Sequence, residues 1–264
     1  MKIGFIGCGN MATAILKGIL KSGEVAAADI IASAKSDKTR EKIEKELGIQ
    51  KADTNAQVVD FADVVFLAVK PQFLEGVLDE IKASVKEGQI FISIAPGKTL
   101  QWFADKLGEK TKVIRTMPNT PAMVGEGMTA ACRNEFVTDE ELEGAKKILS
   151  AFGKVEVVSE HLMDVVVSVS GSSPAYVFMF IEAMADAAVA DGMPRAQAYQ
   201  FAAQAVLGSA KMVLETGKHP GELKDMVCSP GGTTIEAVRV LEEKGFRSAV
   251  IEAMKACTDI AKKM

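Results

Sequence analysis

The chain is predicted to fold as an α/β doubly wound sheet followed by an all-helical domain, and three observations carry that prediction. An apolar run at 2–7 passes through spaced glycines into a helical pattern. Apolar strands and amphipathic helices then alternate as far as about residue 116, and strand signals stop near residue 160. The apolar runs are continuous rather than alternating, which places these strands in a sheet covered on both faces. The expected domains are 1–159 and 160–264.

The elements follow in order. A strand at 2–7 precedes a helix at 10–22, whose Ala14, Ile15, Leu16, Ile19 and Leu20 recur at helical spacing. Next come a strand at 29–33, an amphipathic helix at 38–47, a short helix at 56–61 and the strand Val64 to Val69 with Asp63 at its start. A helix at 73–85, a strand at 89–94, a helix at 100–107 and a strand at 112–116 continue the rhythm. In the second domain Pro174 opens a helix that runs to Gly192 and is apolar around most of its circumference. About 100 residues of helix cannot cover it alone, so a second subunit is expected to. Val165 to Ile181 is uncharged but only 17 residues long and is interrupted by Ser170–Pro174. That is short of the roughly 20 residues a bilayer requires, and a buried helix–break–helix is expected instead.

Composition narrows the class. The 264 residues are 48% hydrophobic and 25% charged with a net charge of −4, and they contain no basic block. Neither nucleic acid nor an anionic membrane surface is therefore an expected partner. Cys8, Cys132, Cys228 and Cys257 are scattered without metal-ligand spacing, so no metal is expected and the thiols suit a reducing compartment. The N-terminus lacks an export leader, and a cytoplasmic location is expected.

The opening strand runs into Gly7-Cys8-Gly9-Asn10-Met11-Ala12, a G-x-G-x-x-A turn at the start of a helix. Gly7 permits the tight turn, Gly9 lets a phosphate approach the backbone, and Ala12 allows helix and strand to pack closely. A dinucleotide pyrophosphate would then rest on the positive end of the helix. NAD selection uses a carboxylate at the end of the second strand, but here Ser33 and Lys35 stand there, with Ser36, Lys38 and Arg40 following. Asp29 lies at the opposite end of that strand. Hydroxyls and lysines suit a 2′-phosphate, so NADPH is the expected cofactor; a solvated basic loop is the plainer alternative. Further cofactor contacts are expected where later strands end, at Ala68-Val69-Lys70-Pro71, at Ala95-Pro96-Gly97 and at Arg115 to Pro121, although each could be turn chemistry alone.

The helical domain carries Ser229-Pro230-Gly231-Gly232-Thr233-Thr234 at the start of a helix, where N–H groups and hydroxyls converge on a space suited to a small carboxylate. An elaborate N-cap is the alternative. His161 and His219 lack triad partners, and Glu182 and Asp186 fall on one helix face as a wet surface.

With these residues laid out, the chain resembles the pyrroline-5-carboxylate reductase family nearly end to end. The resemblance rests on the opening I-G-F-I-G-C-G-N-M-A, on Phe66 to Gln72, Arg115 to Pro121 and Gly171 to Tyr176, and on the run from His219 through Ser229–Thr234 to Arg247. It implies reduction of the ring C=N bond of 1-pyrroline-5-carboxylate to L-proline by NADPH. It also implies a homodimer of interlocked helical domains that completes the pocket across subunits, with dimers further assembled into particles such as a decamer. By motif, Gly7, Gly9, Asn10 and Met11 would hold pyrophosphate, Ser33 and Lys35 the 2′-phosphate, and Asn55 the adenosine ribose. Ala68, Lys70 and Pro96 would border the rest of the cofactor. Glu160, Ser229, Gly232, Thr233 and Thr234 would form the substrate pocket, with Thr234 catalytic. Ser173 and Pro96 depart from the glycine and small residue usual in the family.

Two other classes fit less well. A 3-hydroxyacid dehydrogenase needs a lysine and an asparagine on the first long C-terminal helix, where this chain has Tyr176, Phe178 and Met179. A non-enzymatic NADPH sensor would have no reason to keep the glycine–threonine loop.

Overall fold

The computed structural model describes residues 1–264, all but the side chain of Lys42. Eight strands form one sheet in the order β3-β2-β1-β4-β5-β6-β7-β8. They are β1 (Ile3–Ile6), β2 (Ile30–Ser33), β3 (Gln50–Ala52), β4 (Val64–Leu67), β5 (Ile90–Ser93), β6 (Lys112–Met117), β7 (Gly127–Arg133) and β8 (Gly153–Val157). All pairings are parallel except β6 with β7. The strand order reverses between β1 and β4, which puts a ligand crevice at their carboxyl ends.

The covering helices are α1 (Asn10–Ser22), α2 (Asp37–Leu47), α3 (Asn55–Phe61), α4 (Pro71–Ile81), α5 (Leu100–Leu107) and α6 (Asp139–Leu149). β1, β2, β4 and β5 are buried along their whole length, as their continuous apolar character demands. Phe5, Ile15, Leu16, Phe66, Ile92 and Phe152 pack on one face, and Phe5 stacks on Phe66 with ring centroids 4.5 Å apart. Ile6, Val58, Val65, Leu78, Phe91 and Phe103 pack on the other. Gly4 lets α3 approach β1, and Gly18 lets α1 approach the 3₁₀ turn before β8: a Cβ at Gly4 would lie 2.5 Å from Val58 Cγ1, and one at Gly18 would lie 2.8 Å from Phe152 Cβ.

Four elements are additional to the sequence expectation: β3, β7, α6 and β8. β3 and β8 are edge strands with exposed polar residues, and β7 mixes Gly, Thr, Ala and Cys with Met128 and Arg133, so none shows a continuous apolar run.

The remaining helices are α7 (Met163–Val166), α8 (Ser173–Ala190), α9 (Arg195–Thr216), α10 (Pro220–Val227), α11 (Thr233–Glu243) and α12 (Phe246–Ala261). The expected break at 170–174 falls at Ser172, a bend between a π turn over Val167–Gly171 and α8, so the helical run of 160–190 is interrupted there only briefly. By length and composition that stretch passes for a membrane span. It is not the buried segment expected from sequence: in the single chain only 6% of its most apolar window is covered.

The compact units also divide differently from the expected 159/160 boundary. One comprises 1–172 with 257–264, and the other comprises 173–256. Side-chain bonds explain why residues 160–172 and the C-terminal stretch belong to the first unit. Glu160 accepts from Leu100 N–H at 2.7 Å, Asn119 Nδ2 donates to Ser170 O at 3.0 Å, and Thr258 Oγ1 donates to Ser168 Oγ at 2.8 Å.

Candidate active site

The first candidate seat lies where β1 meets α1. Gly7 has φ +93°, and a Cβ there would lie 2.7 Å from Ala68 O, so glycine alone fits. Its N–H donates to Ser33 O at 3.1 Å, which ties the turn to the end of β2. Gly9 is the N-cap of α1 and provides no side-chain cap. A Cβ on it would meet nothing within 4 Å, leaving open space in front of the first-turn N–H groups of Asn10 and Met11. A groove of about 380 Å³, lined by Cys8, Gly9, Asn10, Lys38 and Thr39, runs past this end. An uncapped helix start facing open space fits a pyrophosphate, which needs N–H donors and no intervening side chain.

A second cavity of about 420 Å³ adjoins Gly7 and is lined by Ser33, Lys35, Arg40, Asn55, Phe73 and Glu80, among others. Ser33 closes β2 in register with Ile6 of β1. Its hydroxyl donates to Asn55 Oδ1 at 2.7 Å, and Asn55 Nδ2 donates to Glu80 Oε2 at 2.8 Å. Asn55 is held in place by the capping box of Thr54 and Gln57 at the start of α3. The Lys35 ammonium sits 5.5 Å from the centre of the exposed Phe73 ring. Asp29 belongs to a 3₁₀ turn before β2, at the opposite end from Ser33. Ser33, Lys35, Arg40 and Asn55 are therefore gathered as the sequence suggested, whereas Glu80 and Phe73 were not singled out. Glu80 looks in sequence like any exposed helical glutamate.

Ala68 follows β4 and its N–H bonds Ile6 O at 2.9 Å, while Lys70 is the N-cap of α4 with Pro71 at its first position. Pro96 follows β5, where Ser93 is fully buried. The loop after β6 is held by Asn119, 8% exposed, whose side chain donates to Ser170 O and accepts Met128 N–H at 2.8 Å. Sequence pointed to the prolines of that loop but not to this amide clamp.

Glu160 is engaged within the first unit. One of its oxygens caps Leu100 N–H and pairs with the guanidinium of Arg115, whose side chain is 8% exposed. Cys132 lies close to this pair, and burial pushes its thiol up to about 11, with Arg115 opposing the rise and Glu160 adding to it.

The second candidate seat lies in the other unit, at the start of α11. Gly231 has φ +67°, Gly232 N–H closes a turn on Ser229 O at 3.0 Å, and a Cβ on Gly232 would lie 3.1 Å from that oxygen. Gly232 caps α11 without a side chain, and Thr233 and Thr234 occupy its first turn. Ser229, Gly232, Thr233 and Thr234 are thus brought together around uncapped N–H groups, whereas Glu160 belongs to the other unit. His219 Nδ1 accepts Gly221 N–H at 3.1 Å, a capping role for α10. Asp186 pairs with Arg195 on the exposed surface. Among the described residues no cluster of His, Cys, Asp or Glu could hold a metal.

Comparison with known proteins agrees with this architecture. Residues 160–264 match the family described as pyrroline-5-carboxylate reductase dimerisation, and residues 2–97 match NADP oxidoreductase coenzyme F420-dependent. A pyrroline-5-carboxylate reductase of Escherichia coli is 57% identical over 100% of this chain and 98% of its own length. The structure of one from Coxiella burnetii superposes with a TM-score of 0.92 at 36% identity, covering 99% of this chain and 97% of that one. The Plasmodium falciparum pyrroline carboxylate reductase, solved with NADP bound, gives a TM-score of 0.89 at 29% identity over 100% and 97% of the two chains.

Proposed function

The chain belongs to the pyrroline-5-carboxylate reductase family and is a nicotinamide-dependent reductase of proline biosynthesis; we propose that NADPH is its reductant and that Ser229–Thr234 seat the substrate. The bound nicotinamide supplies the hydride that reduces the ring C=N bond of 1-pyrroline-5-carboxylate to L-proline. Gly7, Gly9, Asn10 and Met11 receive the pyrophosphate, Ser33 and Lys35 the 2′-phosphate, Asn55 the adenosine ribose, and Ala68, Lys70 and Pro96 the remainder.

At the other seat the first-turn N–H groups of Thr233 and Thr234, beyond the Gly232 turn, anchor the substrate carboxylate, so that the ring cannot turn. Thr234 is the catalytic hydroxyl: it bonds the ring nitrogen as that atom gains basicity and passes on a proton that originates in water. Glu160, the further residue proposed for substrate binding, is held by Arg115 and Leu100 N–H as a fixed carboxylate rather than a mobile acid. The observation that carries this reading is the glycine-capped start of α11, open to an anion and flanked by two threonines.

Residues 160–264 are proposed as the dimerisation and substrate domain, with larger assemblies such as a decamer built from the dimer. Among the described residues of the 173–256 unit, only Ala185, Ala198 and Ala202 are buried. Such a unit has almost no core of its own, so its apolar helices must be covered, and the match to a dimerisation family supports a second copy rather than a bilayer as the cover. A cytoplasmic location, with neither membrane nor nucleic acid as partner, accompanies that reading.

Steady-state kinetics of Thr234→Ala test the proposal. A loss of roughly 5- to 150-fold in kcat/KM, about 1–3 kcal/mol, is expected. Unchanged kinetics remove Thr234 from the mechanism.

A further inference from the structure

We propose that Glu80 is a specificity-determining residue that limits the preference for a 2′-phosphorylated dinucleotide. The inference rests on the reading that Ser33 and Lys35 receive the 2′-phosphate, and nothing in that reading assigns Glu80 a part. Two observations carry it.

The first is the direction of the hydrogen bonds. The Ser33 hydroxyl donates to Asn55 Oδ1, and the Asn55 amide donates to Glu80 Oε2. Glu80 can only accept, so it holds the amide with its oxygen toward Ser33 and draws the single Ser33 proton into the chain. Ser33 then offers lone pairs to an incoming nucleotide. A ribose hydroxyl can donate to them, whereas a phosphate oxygen cannot, and a phosphate must first turn the Ser33 proton toward itself.

The second is charge. The cavity is lined by the cations Lys35 and Arg40 and by the carboxylates Asp53 and Glu80. Arg40 is already engaged, 3.6 Å from Asp37 and donating to Ala34 O at 2.7 Å. The seat is therefore close to neutral instead of strongly cationic. A phosphate of charge about −2 on Ser33 stands two hydrogen-bond links from the Glu80 carboxylate and is repelled by it. A ribose hydroxyl is not.

Glu80→Gln keeps an acceptor for Asn55 Nδ2 and removes the charge, and Glu80 is exposed, so the fold tolerates the change. Calorimetric titration with adenosine 2′,5′-bisphosphate and with 5′-AMP, in about 0.01 M salt, tests it without turnover. The variant is expected to bind the bisphosphate about three- to tenfold more tightly and 5′-AMP as before, a gain that fades in about 1 M salt. The ratio of kcat/KM for NADPH over NADH should rise by the same factor. An unchanged ratio of affinities, or an equal change for both nucleotides, overturns the inference. Lys35→Ala separates it from the underlying reading. Weakened bisphosphate binding there, with no effect of Glu80→Gln, sinks the inference alone; unaltered binding of both nucleotides by Lys35→Ala removes the phosphate seat and the inference with it.

Discussion

Gly7 and Gly9 stand two residues apart in one turn, yet the structure assigns them opposite sensitivities. An alanine at Gly7 would have to adopt φ +93°, which costs about 1–3 kcal/mol, and would press its Cβ to 2.7 Å from Ala68 O and 2.9 Å from Val69 Cγ1. Those atoms belong to the backbone and side chain just after a fully buried strand, so they cannot yield cheaply. A total near 3 kcal/mol is expected, which lowers Tm by about 6–12 °C. Gly9 has φ −75° and ψ −170°, ordinary extended geometry, and its Cβ would meet open space. Gly9→Ala should therefore leave stability within about 1 kcal/mol of the parent, while its methyl group intrudes where a pyrophosphate must touch backbone. A loss of tenfold or more in NADPH affinity, about 1.4 kcal/mol, is expected. Differential scanning fluorimetry and fluorescence titration of NADPH on both variants decide the matter. A Gly7→Ala protein that melts with the parent refutes the packing argument. A Gly9→Ala protein with parental NADPH affinity refutes the assignment of this turn to the cofactor.

Three further outcomes are expected. Removing the Glu160 charge with Glu160→Gln leaves the buried Arg115 guanidinium without its counter-ion, and chemical denaturation should show a loss of roughly 3 kcal/mol; a loss under about 0.5 kcal/mol would mean that the pair is idle. The Cys132 thiol, raised to about 11 by burial, keeps its proton in the folded state at pH values where the unfolded chain gives it up. Its contribution to stability is therefore present below pH 9 and is lost as pH rises from about 9 toward 11, a dependence that Cys132→Ala should flatten. At pH 8 the same thiol should resist alkylation in the native protein and react once the protein is unfolded. Phe178 and Met179 are 62% and 69% exposed in the single chain; a Phe178→Glu variant should shift sedimentation toward the monomer, and an unchanged assembly would place the subunit contact elsewhere.

What could be read from the sequence followed from how much apolar character each element must carry. β1, β2, β4 and β5 are flanked by strands and covered by helices, so their residues are uniformly apolar and they stand out. The edge strands β3 and β8, half-exposed and polar, give no such pattern, and the antiparallel β7 is dominated by small residues that also suit loops. The cofactor turn was legible because Gly7 has no substitute in it. The Glu80–Asn55–Ser33 chain and the Asn119 clamp were not, since they join residues whose proximity only the fold creates. Helix α8 shows the opposite difficulty. Its apolar circumference demands cover that the single chain does not supply, and cover by another molecule and cover by the same chain leave the same pattern in sequence.

The two proposed seats share a construction that separates them from the helix starts this chain caps with serine or threonine. α2, α3, α5 and α6 are each capped by their own Ser36, Thr54, Thr99 or Thr138, whose oxygen accepts a first-turn N–H. Serine and threonine are thus the chain's usual solution for leading N–H groups that would otherwise stay unpaired. At α1 and α11 the cap position is glycine and no side chain accepts; at Gly9 a side chain would meet open space, whereas a Cβ at Gly232 would lie 3.1 Å from Ser229 O. Leaving the cap out forgoes about 1 kcal/mol of stability at each start. That loss is offset only if something else accepts those hydrogen bonds, and what both seats offer is N–H donors, a positive helix end and no side chain in front of them. At α1 this suits the pyrophosphate of a dinucleotide, and at α11, with Thr233 and Thr234 beside it, the carboxylate of a small cyclic amino acid. A reductase that joins one to the other needs both, which is why the glycine caps are more informative about function than any charged side chain in the molecule.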